Sequence, residues 1–158
     1  GWSYLTDNKD FYYEGEKVIL ELQLMLEDKM TQMAKTCTKP CLIICDRGAL
    51  DISAYISKEM WNGLMLSCGT SHEDILKRYD GVIHLASAAE GAEKYYTLET
   101  NINRYEKADE AGLALARSLN QKVLDAWSSH PLLRTIPSLE DFDAKMKLVI
   151  KNINEMIK

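Results

Sequence analysis

The chain has 158 residues, of which 46% are hydrophobic and 27% are charged, and its formal net charge at pH 7 is −5. These values are typical of one globular domain, and the negative balance argues against a surface built mainly to bind nucleic acid. No apolar run approaches the roughly 20 residues of a transmembrane helix, and Gly1-Trp2-Ser3 does not open a signal peptide. We therefore expect a cytoplasmic protein without a transmembrane segment.

The first predicted element is an amphipathic helix from about Phe11 to Ala34, capped by Asp10 or Thr6. Its apolar residues recur with the period of one helical face, which predicts a buried stripe. The methionines of this stripe are predicted to belong to the core rather than to a cofactor site. The stripe consists of Val18, Leu22, Met25, Leu26, Met30 and Met33.

The most informative segment follows this helix, where the apolar run from Cys41 to Cys45 leads directly into Asp46, Arg47 and Gly48. A short apolar run bounded by Lys39-Pro40 and Gly48 predicts a strand that is buried on both faces. In open α/β sheets, ligands bind at the carboxyl ends of the strands. Asp46 and Arg47 are therefore the first candidates for contact with an ion or a phosphate.

Three of the four cysteines lie close together, at Cys37, Cys41 and Cys45. Their spacing suits neither a structural zinc site nor a disulfide pair, because Cys41 and Cys45 flank the predicted strand and are expected to point inward. We therefore predict buried thiols that act as small hydrophobic side chains.

Two further strands and several helices complete the pattern. Strands that alternate with helices predict a parallel α/β sheet with helices on both faces, in which residues 42–45, 82–85 and 133–136 are buried neighbours. His84 is expected to be a core residue whose hydrogen bonds are satisfied, and His130 before Pro131 is expected to fix a turn. The predicted elements are a helix from Asp51 to Gly63, a helical turn from Asp74 to Tyr79, the strands Val82 to Leu85 and Leu133 to Ile136, and helices from Ala108 to Trp127 and from Leu139 to Ile157.

Short motifs follow one another in a distinctive order along nearly the whole chain. In this order they resemble the P-loop NTPase domain of the TRPL translocation defect family, which is itself similar to the nicotinamide riboside kinase domain. The resemblance implies one nucleotide-kinase-like P-loop domain over residues 1–158. The motifs are Asp46 to Gly48, Asp51 to Tyr55, Arg78 to Leu85, Glu90 to Thr97, Asn101 to Glu106, Trp127 to Pro131 and Phe142 to Lys145.

The resemblance implies a catalytic role for Asp46 and Arg47. Asp46 takes the place of the acid that follows the third strand, which orients Mg²⁺ or accepts the proton of the substrate hydroxyl, and Arg47 then contacts a phosphate or the acceptor. Phosphoryl transfer depends on charge neutralisation and positioning, which these side chains supply. The alternative is that the two residues only cap the next helix and brace the loop.

The resemblance also implies a lid over Gly91 to Glu110 that closes on the phosphates. Lys94 and Arg104 are the basic candidates in this lid, and Asn101 is a candidate for a hydrogen bond to a phosphate or sugar. The alternative is that these side chains are ordinary solvated groups of a surface segment.

The sequence departs from the family pattern in three places. Thr100-Asn101 replaces two consecutive asparagines, and Pro137-Ser138 follows the last strand where an aspartate and an asparagine are common. In related kinases this last loop touches the nucleotide base. None of the eight glycines is followed by lysine, so no Walker A loop is present. The resemblance places that loop upstream of Gly1, and we expect either a domain truncated at its N-terminus or a form that has lost catalysis.

The resemblance therefore implies a nucleotide-binding domain for ATP or GTP with Mg²⁺, in which phosphoryl transfer or hydrolysis is one outcome. One alternative is a non-catalytic regulatory module of trafficking that binds GTP and phosphoinositide head groups. Another alternative is a structural domain without turnover. Whether the protein is an enzyme stays open at this point, and further domains outside this chain are possible partners.

Overall fold

A computed structural model describes residues 8–89 and 110–158. The chain forms two compact units, Gly1–Ile75 and Leu76–Lys158, and each is described by itself. The structure is mixed α/β, with mostly helical residues and one pair of parallel strands in the described ranges. No helix in these ranges combines the length and the apolar character needed to cross a bilayer. The elements are α1 (Lys9–Ala34), a 3-10 helix (Ala49–Ala54), α2 (Lys58–Ser67), α3 (His72–Leu76), β1 (Val82–Leu85), α4 (Glu110–Trp127), β2 (Leu133–Ile136) and α5 (Phe142–Met156).

Helix α1 confirms the first predicted helix, but its cap is Asn8 rather than Asp10 or Thr6. The Asn8 Oδ1 atom accepts hydrogen bonds from the backbone N–H groups of Asp10 at 3.0 Å and Phe11 at 3.2 Å. These N–H groups have no partner within the helix, so the asparagine side chain fixes the start of α1.

The predicted apolar stripe of α1 is not buried, and this expectation was wrong. Leu20 is fully buried on α1, together with the polar side chains of Glu16 and Glu27. By contrast, Leu22 is 53% exposed and Met33 is 57% exposed, and the other members of the predicted stripe are exposed as well. Periodicity identifies a helix with an apolar face, but the neighbouring elements decide which face is covered. In this unit α1 packs against α2 and the 3-10 helix.

Burial has an electrostatic consequence at Glu16. Removal of this carboxyl from water raises its pKa above the ordinary value of 4.5, because the charged form loses hydration. The folded state therefore binds this proton more tightly than the unfolded state does. As the pH rises above the ordinary pKa of 4.5, Glu16 lowers the stability of the fold.

Residues 41–45 form no strand, which corrects the central prediction of a buried strand from Leu42 to Cys45. Leu42 is 55% exposed and Ile44 is 71% exposed. Cys37, Cys41 and Cys45 are exposed as well, so the prediction of buried thiols was wrong. An apolar, β-branched run is compatible with a strand, but a strand forms only when a neighbouring edge supplies hydrogen-bond partners. The sequence pattern does not contain that information.

The predicted helix from Asp51 to Gly63 is replaced by two shorter helices. The 3-10 helix ends before Tyr55, and α2 starts after its cap, Ser57, whose hydroxyl accepts the Met60 N–H at 3.2 Å. The serine cap explains the break, because it turns the backbone into an extended conformation ahead of α2. The core of this unit includes the fully buried side chains of Leu20, Leu50, Leu64 and Ile75.

Strands β1 and β2 confirm the predicted parallel pairing of residues 82–85 with 133–136. Val82 lies opposite Leu133, and Leu85 lies opposite Ile136. A parallel pair requires a long crossover between its strands, and α4 lies in this crossover. Both carboxyl ends therefore meet at one edge of the strand pair, which is where the second unit presents its pocket.

The turn before β2 is held by His130, as predicted. A backbone N–H can only donate, so the Leu132 N–H must donate to His130 Nδ1, at 3.1 Å. This places the proton of the neutral ring on Nε2, which donates to the Tyr79 carbonyl oxygen at 2.8 Å. The ring of Trp127 stacks edge-on against Tyr79 with centroids 4.9 Å apart. His84 in β1 is buried, as expected of a core residue, but its buried Nε2 atom makes no hydrogen bond to the described residues, so the expectation is confirmed only for burial.

Candidate functional site

Asp46 and Arg47 lie in a bend that leads into the 3-10 helix, not at the end of a strand. Both residues are exposed, so they are reachable from solvent. Arg47 has a backbone φ angle of 75°, which lies in the left-handed region that residues other than glycine rarely adopt. The Gln23 side chain on α1 donates a hydrogen bond to the Arg47 carbonyl oxygen at 3.3 Å. This contact helps to hold a backbone conformation that is costly by itself.

The guanidinium group of Arg47 reaches forward along the 3-10 helix. It donates to the Tyr55 hydroxyl at 2.9 Å, lies 5.9 Å from the centre of that ring, and is 3.8 Å from Asp51 Oδ2. Although the Arg47 side chain is mostly exposed, neighbouring atoms remove part of its hydration, which acts to lower its pKa. Tyr55, Asp51 and Asp46 outweigh this effect and raise the pKa. These contacts correspond to the bracing alternative, so Arg47 has a structural role whether or not it also meets a phosphate.

Asp46 presents an exposed carboxylate beside this braced arginine. Mg²⁺ prefers oxygen ligands and is often held by one or two carboxylates together with substrate phosphates, so a single aspartate fits such a role. In residues 8–89 and 110–158, no group of three or more histidine, cysteine, aspartate or glutamate side chains is arranged to hold a metal ion. The chemistry of Asp46 therefore suits a metal shared with a ligand rather than an all-protein cage.

Lys94, Asn101 and Arg104, the residues of the predicted lid, lie outside the described residues. Their assignment to a phosphate-binding lid stays a prediction.

The second unit contains a pocket at the carboxyl edge of β1 and β2, with a volume of about 370 Å³. That volume is within the range of small-molecule sites, and the position follows the rule that ligands gather where parallel strands end. The wall combines apolar side chains with a few polar ones. It is formed at and after the end of β1 by Leu85 and Ala88, after β2 by Ser138, Leu139 and Glu140, and in the first two turns of α5 by Phe142, Lys145 and Met146.

Lys145 is the cationic side chain of this pocket. The start of α5 is fixed by Asp141, whose carboxylate accepts the N–H groups of Asp143 at 2.9 Å and Ala144 at 3.1 Å. One turn later, Lys145 Nζ donates to the carbonyl oxygen of Ala86 at 2.8 Å, which ties α5 to the end of β1. Burial lowers the pKa of Lys145, because the ammonium form loses hydration.

Two readings of Lys145 are compatible with these contacts. In the first reading it only satisfies the Ala86 carbonyl group and anchors α5. In the second reading its remaining N–H groups also meet a ligand in the pocket, since an ammonium group has three donors and one of them is used by Ala86. Substitution of Lys145 can distinguish the two roles.

Sequence reasoning did not identify this pocket as a site. Its wall comes from three separated segments, so no single motif reveals it. Two sequence signals point towards it: the resemblance associates the loop after the last strand with a nucleotide base, and it includes Phe142 to Lys145. Neither signal shows that Leu85 and Lys145 share one wall.

The chain matches no family model, no curated protein and no solved structure.

Proposed function

We propose that the protein is a nucleotide-binding domain of the kinase-like P-loop class, with a parallel sheet covered by helices and with Mg²⁺ accompanying ATP or GTP. The observation that carries the proposal is the pocket at the carboxyl edge of β1 and β2. Its position is the one that open parallel sheets use for ligands. The ordered motifs that resemble kinase-like domains supply the class of ligand.

The pocket is proposed to receive the base of the nucleotide. Leu85, Phe142 and Met146 offer apolar contact to the faces of a planar ring, whereas Ser138 and Glu140 offer hydrogen bonds to its edge. Ser138 belongs to the loop that touches the base in related kinases. This agreement between the resemblance and the location of the pocket supports the proposal.

Asp46 is proposed as the group that meets Mg²⁺ or the acceptor hydroxyl. Its carboxylate is exposed and adjoins the restrained Arg47, so it needs no rearrangement to meet a ligand. A carboxylate in this role either orients the metal or accepts a proton, and both tasks require the ionised form. When Mg²⁺ is bound, it supplies charge neutralisation of the phosphates.

Substitution of Lys145 tests the base pocket. We expect adenosine or guanosine to shift the methyl resonances of Leu85 and Met146 in NMR spectra. Lys145→Met should weaken that binding about tenfold, since it removes a charged hydrogen-bond donor worth about 1.5 kcal/mol. Lys147→Met, at an exposed position of α5 outside the pocket wall, is the matched control and should bind normally.

Two outcomes would contradict the base pocket. One is that nucleosides leave the resonances around Leu85 unchanged at millimolar concentration. The other is that Lys145→Met and Lys147→Met bind equally well. Thermal unfolding of both variants separates loss of binding from loss of the anchor on Ala86.

Substitution of Asp46 tests the phosphoryl-transfer part of the proposal. In the natural protein that carries this sequence, Asp46→Asn should lower Mg²⁺-dependent turnover of ATP or GTP by roughly tenfold or more, because the neutral amide binds a metal ion more weakly than a carboxylate and cannot accept a proton. Its melting temperature should stay close to that of the unmodified protein, since the side chain is exposed.

Glu14→Gln on α1 removes the same charge from another exposed position and should leave turnover unchanged. Normal turnover in Asp46→Asn, or unfolding of that variant, would contradict the role proposed for Asp46.

A further inference from the structure

Helix α1 reaches the bend at Arg47 through the side chain of Gln23. The Gln23 Nε2 atom donates to Glu27 Oε1 at 2.7 Å and to the Arg47 carbonyl oxygen at 3.3 Å. An amide nitrogen carries two hydrogen atoms, so these two bonds use both of them. A backbone carbonyl oxygen can only accept, so the contact with Arg47 also fixes which way the Gln23 amide faces.

Glu27 anchors this amide. It lies one turn after Gln23 on α1, and residues four apart are neighbours on a helix surface. The Glu27 side chain is buried, and a hydrogen bond to a carboxylate is stronger than a bond between two neutral groups. The helix and the buried carboxylate therefore hold the Gln23 amide in place against the Arg47 carbonyl oxygen.

The other end of the segment from Arg47 to Tyr55 is tied to α1 as well. The Tyr12 hydroxyl on α1 donates to the Tyr55 backbone carbonyl oxygen at 3.4 Å. The Arg47 side chain donates to the Tyr55 hydroxyl at 2.9 Å, which links the two ends of the segment to each other. The bend is therefore restrained by α1 on one side and by the 3-10 helix on the other.

The backbone at Arg47 needs this support. For a residue other than glycine, a φ angle of 75° is disfavoured by roughly tenfold or more. Rotation about this angle swings the preceding residue, Asp46, relative to the 3-10 helix that follows. Release of the Arg47 carbonyl oxygen would therefore let the bend relax and would move the Asp46 carboxylate.

We propose that Gln23 and Glu27 are positioning residues, which form a clamp that keeps Arg47 in the left-handed conformation and thereby sets the position of the Asp46 carboxylate. The effect of this clamp on turnover rests on the role proposed for Asp46. Its effect on the backbone at Arg47 does not, so the two can be measured separately.

NMR spectroscopy of the 158-residue chain tests the clamp at Arg47 itself. A left-handed residue has a short distance between its amide and α protons and gives a strong nuclear Overhauser effect between them. Gln23→Leu should lose this strong signal at Arg47, because leucine has a similar size but cannot donate a hydrogen bond. Gln32→Leu, at an exposed position of the same helix, is the matched control and should keep the signal.

Two variants of Glu27 test the anchor. Glu27→Gln keeps an acceptor for the Gln23 amide and should retain the strong signal at Arg47. Glu27→Leu removes that acceptor and should weaken the signal. The clamp is overturned if Gln23→Leu keeps the strong signal, or if Glu27→Gln loses as much of it as Glu27→Leu.

A thermodynamic cycle decides the question if Gln23→Leu folds poorly. Glycine adopts a φ angle of 75° without steric cost, so Arg47→Gly should make the clamp less necessary. Gln23→Asn carries an amide that is one methylene too short to reach both acceptors. It should lower the melting temperature by fewer degrees in the Arg47→Gly background than in the unmodified protein. An equal shift in both backgrounds would show that Gln23 does not support the left-handed backbone.

Turnover separates the clamp from the proposed function. If Asp46 acts as proposed, Gln23→Leu should lower Mg²⁺-dependent turnover in the natural protein severalfold, and Gln32→Leu should leave it unchanged. Loss of the NMR signal without loss of turnover would support the clamp and contradict the role of Asp46. Loss of turnover with an unchanged NMR signal would overturn the clamp.

Discussion

Replacing Leu64 by alanine should destabilise the protein by about 3 kcal/mol, in the upper part of the usual range for point substitutions. The Leu64 side chain is fully buried in the core of the first unit. Truncation removes its apolar contacts and leaves a cavity that the surrounding side chains fill only in part. Because the whole stability of a domain is about 5 to 15 kcal/mol, this loss should be plain in a urea unfolding curve.

Leu66→Ala is the control for this measurement. Leu66 lies two residues further along α2 and is 82% exposed, so the same change of residue type there should cost less than about 0.5 kcal/mol. Both substitutions alter helix propensity equally, and their difference therefore isolates burial. Equal costs for Leu64→Ala and Leu66→Ala would show that the Leu64 side chain is not buried in the core of this unit.

The second large effect is expected at His130. His130→Ala should cost about 3 kcal/mol, because it removes a buried ring and leaves the Leu132 N–H and the Tyr79 carbonyl oxygen without this partner. His130→Asn should keep an acceptor near the Nδ1 position, and His130→Gln should keep a donor near Nε2. Each should therefore fall between the unmodified protein and the alanine variant.

Thermal unfolding of these variants checks the order, with Ser129→Ala as the control. Ser129 lies in the same turn but is exposed, so its truncation should change the unfolding free energy by less than about 0.5 kcal/mol. If asparagine and glutamine are no better than alanine at position 130, volume rather than hydrogen bonding stabilises this turn.

Local signals predicted the parts of the fold that depend on local structure. The extent of α1, the positions of β1 and β2 and the final helix follow from periodicity, turn residues and apolar runs. The parallel pairing also followed, because a long helical segment separates the two strands. Caps shifted the boundaries by a few residues, as Asn8 and Asp141 show.

Features that depend on distant neighbours were not predictable in the same way. The run at residues 42–45 has the composition of a buried strand, yet burial requires a partner that a single sequence does not specify. The buried face of α1 is likewise chosen by α2 and the 3-10 helix, which leaves Leu22 and Met33 exposed. A hydrophobic pattern shows which secondary structures a segment can form, but packing against other elements decides which one forms and which face is buried.

The candidate site shows the same division. Asp46 and Arg47 are consecutive in the sequence, so their proximity is predictable. The contact of Arg47 with Tyr55 depends on the left-handed backbone conformation at Arg47, which the sequence does not reveal. The wall around Lys145 combines the carboxyl ends of two strands with the first two turns of α5. Its chemistry is visible only once those segments are placed together.

The left-handed backbone at Arg47 also limits what natural variation at this position can mean. Glycine adopts this conformation without steric cost, asparagine and aspartate tolerate it, and β-branched residues are strongly disfavoured. Among related sequences, a restricted set of residues at position 47 would thus follow from backbone geometry even if no substrate ever touched the side chain. Selection for a chemical role would instead restrict the residue at position 46, because Asp46 does not have a positive φ angle that limits which residues fit there.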